Sequence, residues 1–270
     1  MTATGAQVSE AGILPAGLIV EGDPGEITAA FASLSALQPV RLEPGGLVCA
    51  PRCAPELAGP ALADCPLPTR ALATVPGWPT PPAAQIAGWY RRSPDHLRAP
   101  EGVRELIQAA GEGFGPGDHA TTAMCLEVID ALPPGDAVDA GCGSGLLAQA
   151  WVALGRGGVV ACDLDPRAVD QARRSLEAAG RGADVDLRQG PLSALAAHEL
   201  AGRTVLANVP LPAHHALLGR VVSPPRAVVL SGIRTPQVAA LEQAWKEHGL
   251  HTHRVLRRDG FACLWMEGPE

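Results

Sequence analysis

Asp139-Ala140-Gly141-Cys142-Gly143-Ser144-Gly145 is the stretch from which the fold is read. The apolar run Ala137-Val138 precedes it, and a helical pattern from Leu146 to Leu154 follows. A second apolar run, Val159-Val160-Ala161-Cys162, then ends on Asp163. A strand, a glycine-rich turn, a helix and a strand closed by a carboxylate make the first half of a nucleotide-binding α/β fold. Only a residue without Cβ turns this tightly and lets the backbone approach a ligand closely. The carboxylate can accept two hydrogen bonds from a ribose diol. The stretch therefore points to a nucleoside-containing cofactor.

The glycine spacing discriminates between cofactors. A dinucleotide fold presents G-x-G-x-x-G and seats a pyrophosphate on the helix N-terminus. Here the glycines stand at 141, 143 and 145, with Asp139 two positions before the first. Asp139 would repel a phosphate and would serve a cationic ligand. S-adenosylmethionine has a ribose, an adenine, an amino-acid tail and a sulfonium, and no phosphate. The expected cofactor contacts are Asp139, Gly141, Cys142, Gly143 and Gly145 around the turn, with Asp163 and Leu164 beyond it.

Composition sets the outer bounds. The chain has 270 residues, 47% of them hydrophobic, enough for one large core or a core and a small domain. No apolar run reaches membrane-spanning length. The first residues lack the basic and apolar segments of a signal peptide. A net charge of −7 with little asymmetry is not the footprint of a protein that grips nucleic acid by its phosphates. A cytoplasmic, probe-soluble monomer without direct nucleic-acid or membrane contact is the expectation. Seven cysteines without secretion signals read as free thiols. Cys49, Cys53 and Cys65 have no fourth ligand nearby and are interrupted by prolines, so no metal is expected.

The rhythm changes along the chain. Gly17–Glu21 reads as a strand, Glu26–Leu37 as a helix, and Val40–Glu43 with Leu47–Cys49 as a hairpin around Pro44-Gly45-Gly46. A short helix over Glu56–Ala63 and a strand over Arg70–Val75 complete βαββαβ, a small ferredoxin-like α+β domain over residues 1–76. Residues 77–100 are proline-rich, as in a stiff extended linker. From 101 to 270 strand and helix alternate, which implies a mostly parallel sheet. Strand-like Leu106–Ala109 leads into a loop, and Thr121–Ala131 reads as a helix. Asp165 caps a helix with Pro166 at its first position. Further strands are expected at 185–187, 204–207 and 227–230, and a helix over Thr235–His248. Thr252–Arg257 and Phe261–Met266 flank Arg258-Asp259-Gly260, so a closing hairpin puts one antiparallel strand into the sheet. The fold class is thus a Rossmann-like sheet with a small N-terminal α+β domain.

Ligands in such sheets bind beyond the carboxyl ends of the strands. Asn208-Val209-Pro210-Leu211-Pro212 lies there, and the Asn208 amide can orient an acceptor amine. Gly113-Phe114-Gly115-Pro116-Gly117-Asp118-His119-Ala120-Thr121-Thr122 lies ahead of the first strand. Phe114 would cover the methionine moiety, and Thr121 or Thr122 would bond its carboxylate. His119 is either a helix cap or an acceptor contact.

Taken in order, G-F-G-x-G-x-H-x-T-T, D-x-G-C-G-S-G-x-L-A, D-x-D-P-x-A-V, A-N and S-G-I resemble the PrmA family, from about Gly111 to Met266. Its members methylate a large-subunit ribosomal protein, the eleventh. The resemblance implies that Thr122, Gly141, Asp163 and Asn208 contact S-adenosylmethionine. It also implies a ferredoxin-like N-terminal domain that recognises the ribosomal protein. The chain departs from the family after Asn208. Val-Pro-Leu-Pro replaces an aliphatic, proline-free continuation and drifts toward the Asn-Pro-Pro-aromatic loop of amide and adenine methyltransferases. The expected chemistry is in-line displacement at the sulfonium methyl by a neutral lysine or α-amine, with Asn208 and His119 as candidate catalytic groups. Alternatives are a methyltransferase of another side chain or a small molecule, and a non-catalytic S-adenosylmethionine-binding module.

Overall fold

The computed structural model describes residues 17–21, 37–43, 46–51, 69–72, 83–94, 98–99, 101–111 and 119–269. The chain divides into two compact units, Met1–Gln85 with Trp89–Glu105, and Ile86–Gly88 with Leu106–Glu270.

In the first unit, β1 (Gly17–Glu21), β2 (Leu37–Glu43), β3 (Gly46–Pro51) and β4 (Thr69–Leu72) form an antiparallel sheet in the order β2-β3-β1-β4. The hairpin expected around Pro44-Gly45-Gly46 closes with Glu43 opposite Gly46. This is the strand order of a split βαβ sheet. The two helices that the sequence expects between these strands fall on residues 22–36 and 52–68, outside the described residues. One bound is corrected: Leu37 opens β2 instead of closing a helix. Pro39 accounts for it, since a proline biases the residue before it toward extended backbone. Two short strands, β5 (Ala84–Ile86) and β6 (Trp89–Arg92), lie within the proline-rich stretch, and β7 (Arg104–Ile107) follows.

The second unit carries the large sheet. Its strands are β8 (Ala137–Ala140), β9 (Val159–Asp163), β10 (Val185–Gln189), β11 (Thr204–Asn208), β12 (Ala227–Arg234), β13 (His251–Arg258) and β14 (Phe261–Glu267). They run in the order β10-β9-β8-β11-β12-β14-β13. All neighbouring pairs are parallel except those of β14, which is antiparallel to both β12 and β13. The helices are α1 (Ala120–Ala131), α2 (Leu146–Ala153), α3 (Pro166–Ala178), α4 (Ala197–Leu200), α5 (Leu211–Leu218) and α6 (Val238–Lys246). This is the mostly parallel Rossmann-like frame that the alternating pattern implies, with the one antiparallel strand expected of the closing hairpin. Among the described residues no helix is long and apolar enough to cross a membrane.

Strand composition explains the layering. Ala137–Ala140 and Val205–Ala207 are buried throughout, as parallel strands covered on both faces must be. One core cluster joins Val138, Val160, Val205, Val228 and Leu264 to Leu217 of α5 and Leu241 and Trp245 of α6. Cys125, Cys142, Cys162 and Cys263 are buried free thiols, and the described residues hold no metal-binding group.

Side-chain hydrogen bonds shorten the strand expected over Leu106–Ala109. Pairing ends at Ile107, whose N–H and C=O are taken by the Gln149 amide at 2.5 and 3.0 Å. Ser175 Oγ accepts from the Ala109 N–H at 3.0 Å, and Gln171 Nε2 donates to the Ala109 carbonyl at 2.7 Å. The backbone groups of this segment are thus satisfied by α2 and α3 rather than by a neighbouring strand. The last helix is also shorter than expected. Pro236 opens a three-ten turn, Thr235–Gln237, before α6.

Candidate active site

The site lies where β8, β9, β10 and β11 end. Gly141, Gly143 and Gly145 have φ of 79°, 54° and 82°, which a side chain tolerates poorly. Gly141 also has no room for one: a Cβ there would sit 2.3 Å from Val209 Cγ1. The loop after β11 can therefore close onto the turn only because residue 141 is glycine. Gly145 has a different task, since its position faces Ala172 of α3 at 3.2 Å and sets how closely that helix packs.

Asp163 binds the turn together. Its Oδ2 accepts from the Gly143 N–H at 2.8 Å, and its Oδ1 accepts from the Asp165 N–H at 2.9 Å. A carboxylate has about four acceptor positions, so each oxygen keeps one free for a hydroxyl of a ligand. The side chain is thereby aimed before any ligand arrives. Leu164 beside it is 69% exposed and forms one wall of the cavity, an apolar surface that a flat base could cover.

The cavity encloses about 440 Å³. Of the residues expected at the site, His119, Thr121, Thr122, Gly141, Cys142, Gly143, Asp163, Leu164 and Asn208 line it. Phe114 lies outside the described residues. Gly145 and Asp139 do not reach the cavity. The sequence reading missed Ser144, Leu146 and Leu147 at the start of α2, Gly190 to Ser193 after β10, and Ala213 and Ala216 on α5. The end of β10 had a usable signal: it is a third strand end on the ligand side of the sheet, closed by Gly190-Pro191.

The position of Asp139 corrects its expected role. It is fully buried, and its Oδ2 accepts from the Ala148 N–H at 2.9 Å. Gly145, the residue before α2, has no side chain to cap the helix, so Asp139 supplies the missing acceptor from within the sheet. It supports the turn and does not face a ligand. Burial pushes its pKa up to about 7, despite that hydrogen bond and with a contribution from Asp163 nearby. An acid whose pKa rises on folding holds a proton that the unfolded chain releases. Its contribution to stability therefore falls as pH rises from the unfolded value near about 4 to about 7, and is level above. Asp139→Asn should remove that dependence. Relative to the parent, its unfolding free energy should climb across that window by up to about 1.4 kcal/mol per pH unit. Urea midpoints taken on both sides of the window check this; parallel curves would rule it out.

His119 is the N-cap of α1. Its Nδ1 accepts from the Thr121 N–H at 3.3 Å and lies 2.8 Å from Thr121 Oγ1. An N–H can only donate, so in the neutral ring the proton sits on Nε2 and the basic lone pair is already engaged. The ring edge also packs on Phe261, with centroids 4.6 Å apart. Of the two roles left open, helix cap or acceptor contact, the first is built into the geometry. His119→Ala should cost about 1 kcal/mol of stability through the lost cap and change turnover by less than about threefold. Thermal melts beside initial rates test this, and a hundredfold loss of rate with an unchanged melt would restore His119 as a reacting group.

Asn208 ends β11. Its Nδ2 donates to Thr122 Oγ1 at 3.4 Å, which leaves its carbonyl oxygen for a second partner in the cavity. No lysine or arginine lines that cavity. A phosphate would find no cation there, whereas a zwitterionic amino acid attached to a nucleoside would meet hydroxyls, backbone N–H groups and one carboxylate.

The chain resembles known proteins over the same region. Ribosomal protein L11 methyltransferase of Parasynechococcus marenigrum is 36% identical over 174 residues, 61% of this chain and 58% of that one. The protein of that name from Bordetella parapertussis is 36% identical over 192 residues, 66% of this chain and 59% of that one. The chain thus spans less than two thirds of the length of the curated relatives it matches. The crystal structure of ribosomal protein L11 methylase from Lactobacillus delbrueckii subsp. bulgaricus shares the fold, with a TM-score of 0.58 at 22% identity over 68% of this chain and 96% of that one. The family model described as ribosomal protein L11 methyltransferase matches residues 94–268, the span that holds the glycine turn, Asp163 and Asn208, and the chain belongs to that family, PrmA.

Proposed function

We propose that the chain is an S-adenosylmethionine-dependent N-methyltransferase whose acceptor is a lysine or α-amine of ribosomal protein L11. The observation that carries this reading is one cavity with Asp163 and the glycine turn at one side, the Asn208 amide at the other, and no cation among its lining residues. When bound, the donor supplies a methyl group on a sulfonium, open to displacement in line with the C–S bond.

The chain's own residues do the rest. Asp163 accepts from the ribose hydroxyls, and Leu164 covers the base. Thr121 and Thr122, at the start of α1, meet the amino-acid tail, where helix N–H groups favour a carboxylate. The Asn208 carbonyl accepts an N–H of the acceptor amine and points its lone pair at the methyl. A free lysine has a pKa of about 10.4 and is mostly charged at neutral pH. The apolar wall of Val209, Pro210 and Ala213 disfavours the charged form and lowers that value. As the N–C bond forms the C–S bond breaks, and the amine proton passes to water, since His119 Nδ1 is engaged by α1. Catalysis is then chiefly alignment. Residues 1–76 recognise the acceptor, and the enzyme works as a cytoplasmic monomer.

Incubation with methyl-labelled S-adenosylmethionine tests the reading. Label should enter purified ribosomal protein L11 and, in a whole extract, one small ribosomal protein. Label on a small molecule or on another protein would replace the acceptor, and binding without transfer would leave only a cofactor-binding module. Calorimetric binding of a nicotinamide or flavin nucleotide, with no heat from S-adenosylmethionine or S-adenosylhomocysteine, would overturn the cofactor itself.

A further inference from the structure

β12 is irregular beside the site. Its register against β14 shifts between Leu230 and Ile233, and Gly232 has a φ of 80°. A Cβ at Gly232 would lie 2.5 Å from the Val209 carbonyl oxygen, so the bulge and the loop after Asn208 are packed backbone against backbone. The bulge leaves the Ser231 carbonyl facing that loop. It accepts from the Val209 N–H at 3.1 Å and from His214 Nε2 at 2.9 Å. His214 comes from α5, the helix that the same loop leads into, and its side chain is fully buried.

We infer that His214 is a positioning residue for Asn208: its Nε2–H and the Val209 N–H share the Ser231 carbonyl, and this shared acceptor fixes the backbone on which the acceptor-side amide stands. A carbonyl can only accept, so the proton of the neutral ring is on Nε2. Burial holds the ring pKa down to about 4, although the carbonyls of Ser231 and Val209 face it. The ring is thus an uncharged single donor under ordinary conditions, and its Nδ1 has no hydrogen-bond partner. A buried leucine would fill the space at lower desolvation cost. What the histidine adds is the donor, reaching from a helix to a strand across the base of the loop. Val209 also abuts Gly141, so the fixed backbone bears on both the acceptor side and the glycine turn.

The inference rests on Asn208 as the acceptor-orienting group, and its test separates the two. His214→Gln places an amide N–H near the position of Nε2, and His214→Asn is one methylene too short to reach. In the full-length protein, hydrogen exchange of the segment spanning Val209 should quicken about tenfold in the Asn variant and stay near the parent in the Gln variant. With labelled S-adenosylmethionine and ribosomal protein L11, kcat should fall about 10- to 100-fold in the Asn variant. The Gln variant should recover it to within about threefold. Calorimetry with S-adenosylhomocysteine should change by less than about threefold in both. Equal exchange in the parent and both variants overturns the inference. So does a loss in the Asn variant shared equally between kcat and cofactor affinity. A parent protein that methylates no amine would remove the function proposed above, while exchange at Val209 still decides whether His214 holds the loop.

Discussion

Asp163→Ala should lower the affinity for S-adenosylhomocysteine by about 100-fold or more, and for the methyl donor by as much. Charge-assisted hydrogen bonds contribute about 1.5–3 kcal/mol each, and the side chain has two kinds of partner to lose. One is the ligand's pair of hydroxyls. The other is the turn itself, whose Gly143 and Asp165 N–H groups it holds at 2.8 and 2.9 Å. A loss of about 3 kcal/mol from both sources corresponds to about two orders of magnitude in Kd. Asp163→Asn should recover little, because its NH2 must face one of the backbone donors. Calorimetry gives the affinity, and a thermal melt separates a loosened turn from an unfolded protein. A change of less than about threefold in a folded Asp163→Ala protein would remove the ribose from this position.

Asn208→Ala should reduce kcat by about 100-fold with cofactor affinity nearly intact. The amide is held by Thr122 Oγ1 at 3.4 Å and has its carbonyl to offer, so its removal leaves the amine unaligned and the donor still bound. Asn208→Asp gives a sharper test. A carboxylate beside the amine favours the ammonium and raises its pKa, so the reactive neutral fraction shrinks. Turnover should fall at neutral pH and climb as pH rises, more steeply than in the parent. Rates measured across pH at saturating donor decide this. An Asp variant with the parent's pH profile would mean that residue 208 does not touch the acceptor.

Much of this site was legible because its signals are local. Three glycines at alternate positions, a strand ending on Asp163 and an asparagine ending a later strand each mark a backbone feature within a few residues. Strand alternation with helices then assigned them to one edge of a sheet. The same logic failed for Asp139. A carboxylate before a glycine turn reads as a ligand contact, yet residue 145 leaves α2 without a capping side chain, and the nearby acid was recruited to the helix instead. Leu106–Ala109 read as one strand, while Gln149, Gln171 and Ser175, distant in sequence, claimed its last backbone groups.

By itself the sequence determined the parallel frame, the class of ligand and the residues at three strand ends, since hydrophobic period and glycine placement act through neighbours along the chain. Only the tertiary structure decided which carboxylate faces the cavity, that His119 Nδ1 is engaged by its own helix, and that His214 reaches Ser231. Those outcomes depend on which hydrogen-bond partners burial brings together from elements far apart in sequence, and no local pattern records the contest among them.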